Sequence, residues 1–440
     1  MGSTYGSVAN FIQHTTYEDL PAEVAHQAKR CLLDLLGVAA AGTSTNLSQI
    51  LYRHALEHSG GANRASRLLF NGSRVGAADA ALANAGTLDS LDGHDGHRLV
   101  KGHAGAAILP AVLAFMDETP GLTANDLLTA LTVGYEVSLR AGIALHRTAT
   151  EYHSSGAWNA VGAAAVGARL LRLGTDATHH ALGIAEYSAP RGPMMRAIKH
   201  PTMVKDSSAW GARAGVSAAF LASEGFTGAP VDLLSPRETR DLGVRWRILE
   251  QYFKPYPVCR WSHPAIQAGL SLTAGNGLVA DDIREIEVIT FDAATRLHTS
   301  APKDTEEAQY SLPFALASSL IHGELAAEHI LAPQKESGAL RLAQKIRLTA
   351  SGRMSEEFPG RRRAQIKITY EDGQTHSSKP VEAEGDPESP LSDEVLLTKF
   401  YRNSRRLSPK RSLAIAEMTL SETNYPLEDL TDLLMHPFDI

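Results

Sequence analysis

The chain has 440 residues, 43% of them apolar and 21% charged, which is ordinary globular usage with length enough for two domains. A formal charge of −7 argues against a nucleic-acid partner, and with no run of about eighteen apolar residues no membrane span is expected. The two cysteines, Cys31 and Cys259, stand too far apart for a ligand or redox motif. The opening MGSTYGSVANFIQHTTYEDL lacks a basic segment joined to an apolar one, so a cytoplasmic protein without structural disulfides is expected.

Up to about residue 250 the chain reads as helix after helix. PAEVAHQAKRCLLDLLGVAAAG (21–42) opens with Pro21, closes at glycine and carries Val24, Ala28, Cys31, Leu32 and Leu35 on one stripe. GAADAALANAGTLDS (76–90) predicts a small-residue helix running into Asp92, and GAAILPAVLAFM (105–116) a buried one. TANDLLTALTVGYEVSLRAGIAL (123–145) offers Thr123 or Asn125 as its cap. AVGAAAVGARLLRLG (160–174) and SAWGARAGVSAAFLASEG (208–225) are thick with Ala and Gly. Such small residues let neighbours approach on several sides, which predicts central places in a bundle.

After about 265 the texture changes. IREIEVITF (283–291) and RRAQIKITYEDGQTHSSKPVEA (362–383) alternate apolar and polar, the second with Asp372-Gly373 as a hairpin turn, and LAQKIRLTAS (342–351) is a third strand. TEEAQYS (305–311) and SLPFALASSLIHG (311–323) read as helix or loop, and from 392 the helical pattern returns. The expected fold is mainly α. A large all-helical domain spans 1–264 with 392–440, and a smaller α+β domain with an antiparallel sheet is inserted at 265–391. The basic run YRNSRRLSPKR (401–411) reads as a solvated helix end.

Two segments carry chemistry. LDGHDGHRLVKGHAGA (91–106) sets two aspartates and three histidines at a junction between two apolar helices, with glycines at 93, 96, 102 and 105 allowing tight turns. A polar loop without chemistry is one reading, and a metal site from His94, His97 and Asp95 is another. The third is acid–base work, with histidines tuned by aspartates near neutral pH. YFKPYPVCRWSHPAI (252–266) brings Lys254, Arg260 and His263 into a proline-stiffened connector at the proposed domain boundary. It reads as a stiff linker or as the positive wall of a cleft for an acidic substrate.

Together these segments resemble the MmgE/PrpD family, which includes 2-methylcitrate dehydratase, cis-aconitate decarboxylase and iminodisuccinate epimerase. LDGHDGHRLVKGHAGAAILPA resembles the family's acidic motif, FKPYPVCRWSHPAI its lysine-proline segment, and AQYSLPFALASSLIHGEL (308–325) its tyrosine-bearing helix start. GYEVSLRAGIAL, EYHSSGAWNAVGAAAVGARLL and MVKDSSAWGARAGVSAAFLASEGFTGAP match more weakly but in the same order. The resemblance implies a catalytic set of Asp92, His103, His153, Lys205, Lys254 and Tyr310. To it this chain adds His97, Arg98, Arg260 and His263 as substrate-binding candidates. Against this, His153 could merely cap the next helix, Lys205 could snorkel, and Tyr310 could be an ordinary core aromatic.

The resemblance further implies a homodimeric, cofactor-independent lyase with no metal, acting beside a carboxylate of a small di- or tricarboxylic acid. Dehydration of a 2-methylcitrate-like hydroxy acid leads, ahead of epimerisation and decarboxylation in the same pocket, with a metal-dependent hydrolase further behind. This chain departs from the family pattern at Gly96, where many members carry threonine, at Ala104 for proline, and at Ser154-Ser155 for Pro-Thr.

Overall fold

The computed structural model describes residues 6–59, 61–276 and 282–438; the rest of the expected domains, residues 1–5, 60, 277–281 and 439–440, lies outside the described residues. The helices form where the patterning places them. Ala22–Gly42 buries Val24, Ala28, Cys31, Leu32 and Leu35. Ala124–Thr148 begins at Thr123, whose hydroxyl and backbone N–H close a reciprocal capping box with Asp126. The small-residue helices Gly156–Leu170 and Ser208–Ser223 lie against each other, the first buried almost throughout and the second with an outer face that exposes Trp210 and Leu221. The approach needs glycine: a Cβ on Gly215 would stand 2.5 Å from that of Ala163.

The mainly α architecture holds a compact sheet. Ile283–Thr290 is central, antiparallel to Arg363–Tyr370 in the register Ile286↔Ile368 and parallel to Ile346–Ala350 in the register Ile286↔Ile346. Arg363–Tyr370 pairs antiparallel in turn with Thr375–Ser377 and Val381–Glu382. The hairpin turns at Gly373, whose φ of 87° suits glycine. This parallel pair arises because helical segments, Leu312–His322 among them, carry the chain across before Ile346.

Among the described residues two large apolar cores result, with two small clusters beside them. One gathers the helices before residue 250 with Leu396, Phe400, Ile415 and Leu430. The other packs His263–Asn276 and Leu312–His322 on the sheet and takes in Val38, Leu91, Met194 and Ile198 from the helical side. The seam between them holds both chemistry-bearing segments. The helix Asp393–Asn403 lies along Ala22–Gly42, with Phe400 seated on Gly37.

The basic run at 401–411 is only partly the solvated end expected of it. Arg411 is buried and donates to the carbonyls of Leu433, His436 and Pro437, meeting acceptors that the helix Leu427–Met435 and its exit leave open. Arg402 donates to the Pro255 carbonyl at 3.0 Å.

Candidate active site

The helix Ala77–Asp89 ends and the chain turns sharply at Asp92, whose φ of 47° is left-handed. The segment then runs through Gly96–His97, a short strand paired antiparallel with Gln251–Tyr252. This pairing lays the 91–106 loop beside the 252–266 connector. Gly96 is required by it, because a Cβ there would stand 2.5 Å from Tyr252 Oη and 2.8 Å from His103 Nδ1.

Lys254 Nζ reaches Asp92 Oδ1 at 2.5 Å and the Asp92 carbonyl at 2.8 Å, and both side chains are buried. Burial alone would raise the Asp92 pKa, but the Lys254 ammonium, followed by that of Lys205, holds it well below the usual carboxylate range. Burial likewise opposes the charge on Lys254, and the Asp92 carboxylate overcomes it, so the lysine pKa lies above its ordinary value.

His103 stands 3.7 Å from Asp92 through Nε2. Its Nδ1 lies 2.6 Å from the Asp95 carbonyl. A carbonyl only accepts, so the hydrogen sits on Nδ1 and the neutral ring presents a lone pair at Nε2. Burial, then Lys254 and His94, push the His103 pKa well below that of a free imidazole. The Asp95 carboxyl is held by the Tyr135 hydroxyl at 3.0 Å from each oxygen. Burial and the Asp34 carboxylate raise it to about 7.

These groups open onto a cavity at the seam, lined by Asp92, His103, Lys254 and Tyr310 with Arg98, Lys101, Arg260 and Arg362. Arg260 and Arg362 share the Asp386 carboxylate at 3.1 and 2.7 Å, and both guanidiniums lie over the Tyr252 ring. A protein of net negative charge thus gathers cations on one cavity, a field suited to a polycarboxylate.

Of the remaining candidates, Lys205, His153, His97 and His263 lie behind the cavity wall. Lys205 is buried, donates to Gln309 Oε1 and lies 5.2 Å from the Tyr310 ring centroid. His153 is half-buried with Nδ1 unpartnered, and Ser155, not His153, stands at the N-terminus of the next helix. His97 bonds Glu250 at 3.0 Å, and burial lowers its pKa. His263 donates through Nε2 to the Val258 carbonyl at 3.1 Å and presents Nδ1 to Arg260 at 3.3 Å, which steadies that guanidinium. Arg98 reaches the cavity from its rim and pairs with Glu388.

Sequence reasoning missed Asp206, Tyr152, Tyr252, Lys101 and Arg362, all of which line the cavity. Tyr152 and Asp206 carry a signal in hindsight, since each adjoins a residue that was singled out. The loop histidines take separate partners, His94 with Asp89 at 3.0 Å and His97 with Glu250. Among the described residues no three His, Cys, Asp or Glu side chains converge as metal ligands would, and no helix is long and apolar enough to cross a membrane.

Comparison with known proteins adds an independent finding. The MmgE/PrpD N-terminal domain matches residues 6–240 and the MmgE/PrpD C-terminal domain residues 256–422. The chain is 24% identical to the cis-aconitate decarboxylase-like protein oryM of Aspergillus oryzae, over 98% of this chain and 97% of that one. It is 25% identical to the cis-aconitate decarboxylase of Mus musculus, over 98% and 93% respectively. To that of Homo sapiens it is 26% identical, over 91% and 88%.

Proposed function

This chain belongs to the MmgE/PrpD family, and from that premise we propose that it is a cofactor-independent lyase of a small di- or tricarboxylic acid, breaking a bond beside a carboxylate. The observation that carries the reading is the bare Nε2 of His103, fixed by the Asp95 carbonyl, in a cavity shared with the Lys254–Asp92 pair. A carbon acid next to a carboxylate is weak, so the site must stabilise negative charge as the proton leaves. Lys254, Arg260 and Arg362 are preorganised for that role, and a single such donor is commonly worth about 3 kcal/mol.

Dehydration of a hydroxylated tricarboxylate of the 2-methylcitrate kind suits this geometry best. His103 offers a base to the hydrogen on carbon and, in its neutral form, no proton at Nε2. The C–H electron pair is first held as a carbanion beside a carboxylate gripped by the cations, and it becomes the new double bond when the C–O bond breaks. Decarboxylation is the second reading, favoured by the cis-aconitate decarboxylases among the relatives. It runs through a related carbanion that the same cations would stabilise. The family also suggests a homodimer, which light scattering tests.

Incubation with citrate-like, aconitate-like and aspartate-derived acids in heavy water, read by NMR, separates these outcomes. Dehydration gives an alkene without carbon dioxide, and decarboxylation gives carbon dioxide with solvent deuterium on carbon. An epimerase labels recovered substrate without forming an alkene. No turnover and no exchange with any of these acids overturns the reading.

A further inference from the structure

Resting on that reading, we propose that Asp206 is the catalytic acid of this site, the group that hands a proton to the departing hydroxyl while His103 takes one from carbon. Asp206 is buried yet lines the same cavity as Asp92, His103 and Lys254. It sits between Lys205 and Ser207, whose φ values of 53° and 57° are both left-handed for residues with side chains. Consecutive turns of that kind persist only where the surroundings hold them, and they cluster at functional sites.

The hydrogen bonds decide which oxygen carries the proton. The Ser155 hydroxyl accepts the backbone N–H of His103 at 2.9 Å, so its own hydrogen is free to go to Asp206 Oδ2. Oδ2 is therefore an acceptor, and a proton on the carboxyl belongs on Oδ1. Oδ1 is buried and has no protein partner, as a group waiting for a substrate atom would be. One serine thus ties the backbone of the base to the carboxyl of the acid.

The charges around Asp206 favour the protonated form. Burial and the Asp89 carboxylate raise its pKa to about 7; Asp92 adds to this, and Ser155 and Lys254 work against it. Tyr152, Tyr310 and Cys259 also face it, each with its own pKa raised by burial, and so neutral near pH 7. The two cavity carboxyls are thereby pushed apart, Asp92 ionised on Lys254 and Asp206 protonated. Such divergence separates the acid from the base in carboxylate pairs.

The step balances. Nε2 of His103 gains the proton from carbon, the C–H pair rests on carbon as a carbanion and then forms the double bond, and the C–O pair leaves on oxygen. That oxygen receives the Oδ1 proton and departs as water. The histidinium and the Asp206 carboxylate then exchange one proton through solvent, and the site is reset.

The test compares wild type with Asp206→Asn in heavy water, following alkene formation and exchange of the carbon-bound hydrogen on the substrate that the wild type turns over. Asp206→Asn is expected to lose about 10²–10⁴-fold in turnover, to keep hydrogen exchange through His103, and to lose the alkaline fall in kcat/KM that is expected of wild type near pH 7. Ser155→Ala, which leaves the carboxyl in place, should move that alkaline fall to higher pH by removing a bond that favours the carboxylate. If Asp206→Asn is folded by circular dichroism and keeps turnover within tenfold, the proposal is overturned. It is also overturned if exchange and turnover vanish together, or if the alkaline limb ignores Ser155→Ala. Should Asp206→Asn not fold, the Ser155→Ala shift decides alone. A wild type that neither turns over nor exchanges any of the acids overturns the lyase reading itself, which is a different result.

Discussion

Lys254 and Asp92, 162 residues apart in sequence, meet as a buried ion pair at the seam between the two apolar cores. Nothing local brings them together. The antiparallel pairing of Gly96–His97 with Gln251–Tyr252 does, and the pair joins the loop that carries His103, the proposed base, to the connector that carries Lys254 and Arg260.

Breaking this pair from one side should be costly, since a stranded buried charge typically loses about 3–5 kcal/mol. Lys254→Met is expected to lower stability by that order and kcat/KM by at least about 100-fold. Adding Asp92→Asn to Lys254→Met should restore much of the stability and none of the activity. Urea unfolding and turnover on the same samples measure both. Equal stability of single and double variants would mean that the pair is not coupled.

A second expectation concerns the base. With Nδ1 committed to the Asp95 carbonyl and its pKa held well below the ordinary 6.5 or so, His103 stays neutral through the mildly acidic range. The acid limb of kcat/KM in the free enzyme should therefore lie below the pH of a free imidazole. His103→Gln should keep the fold and lose about 10²–10⁴-fold in turnover. An acid limb at or above pH 6.5 would show that a different group is the base.

The pH dependence of stability follows from buried carboxyls. Glu136 and Asp95 both have pKa values raised to about 7, first of all by burial. For an acid raised on folding, the folded state binds more protons than the unfolded one between the ordinary value, about 4, and the raised one. Stability is thus fullest below about pH 4 for these groups and falls as pH rises towards 7, by an amount on the order of 3 kcal/mol per carboxyl. Glu136→Gln keeps an acceptor for the Ile248 N–H, now 2.9 Å from Glu136 Oε1, and should flatten this slope, raising Tm at pH 8 more than at pH 5. Thermal unfolding across that range checks it, and an unchanged slope would rule Glu136 out as a source.

Much of the site was legible because two dense segments carry it. Asp92 and His103 on one, Lys254 and Arg260 on the other, share the cavity that the sequence implied. What escaped is offset by one residue or arrives from afar. His153 and Lys205 stand behind the wall while their neighbours Tyr152 and Asp206 line it, and at the second place left-handed turns at Lys205 and Ser207 redirect the successive side chains. No periodicity rule covers two such residues around one aspartate. Arg362 enters from the sheet beyond the hairpin partner strands, and its route is tertiary packing alone. The fold was easier to read, since apolar stripes and alternation encode helices and strands directly, whereas the parallel strand pair depends on how the chain crosses between them.

The last expectation starts from the place where this chain leaves the family pattern. Gly96 stands where many members carry threonine, and the space a Cβ would need is taken by Tyr252 Oη at 2.5 Å, by Tyr252 Cζ at 2.6 Å and by His103 Nδ1 at 2.8 Å. Gly96→Thr should therefore push on Tyr252 and on the ring that carries the base, with an overpacking cost of about 1–3 kcal/mol and a matching loss of kcat/KM. Tyr252 is the softer neighbour, because His103 is pinned by the Asp95 carbonyl. Gly96→Thr with Tyr252→Val should recover stability by vacating the contested volume. It should also loosen Arg260 and Arg362, whose guanidiniums lie 5.1 and 4.6 Å from the Tyr252 ring centroid. The double variant is expected to show a restored Tm with a raised KM for whichever carboxylic acid the wild type turns over. Single and double variants that are equally unstable would mean that the threonine clashes with His103, and that Tyr252 is not what fixes glycine at this position.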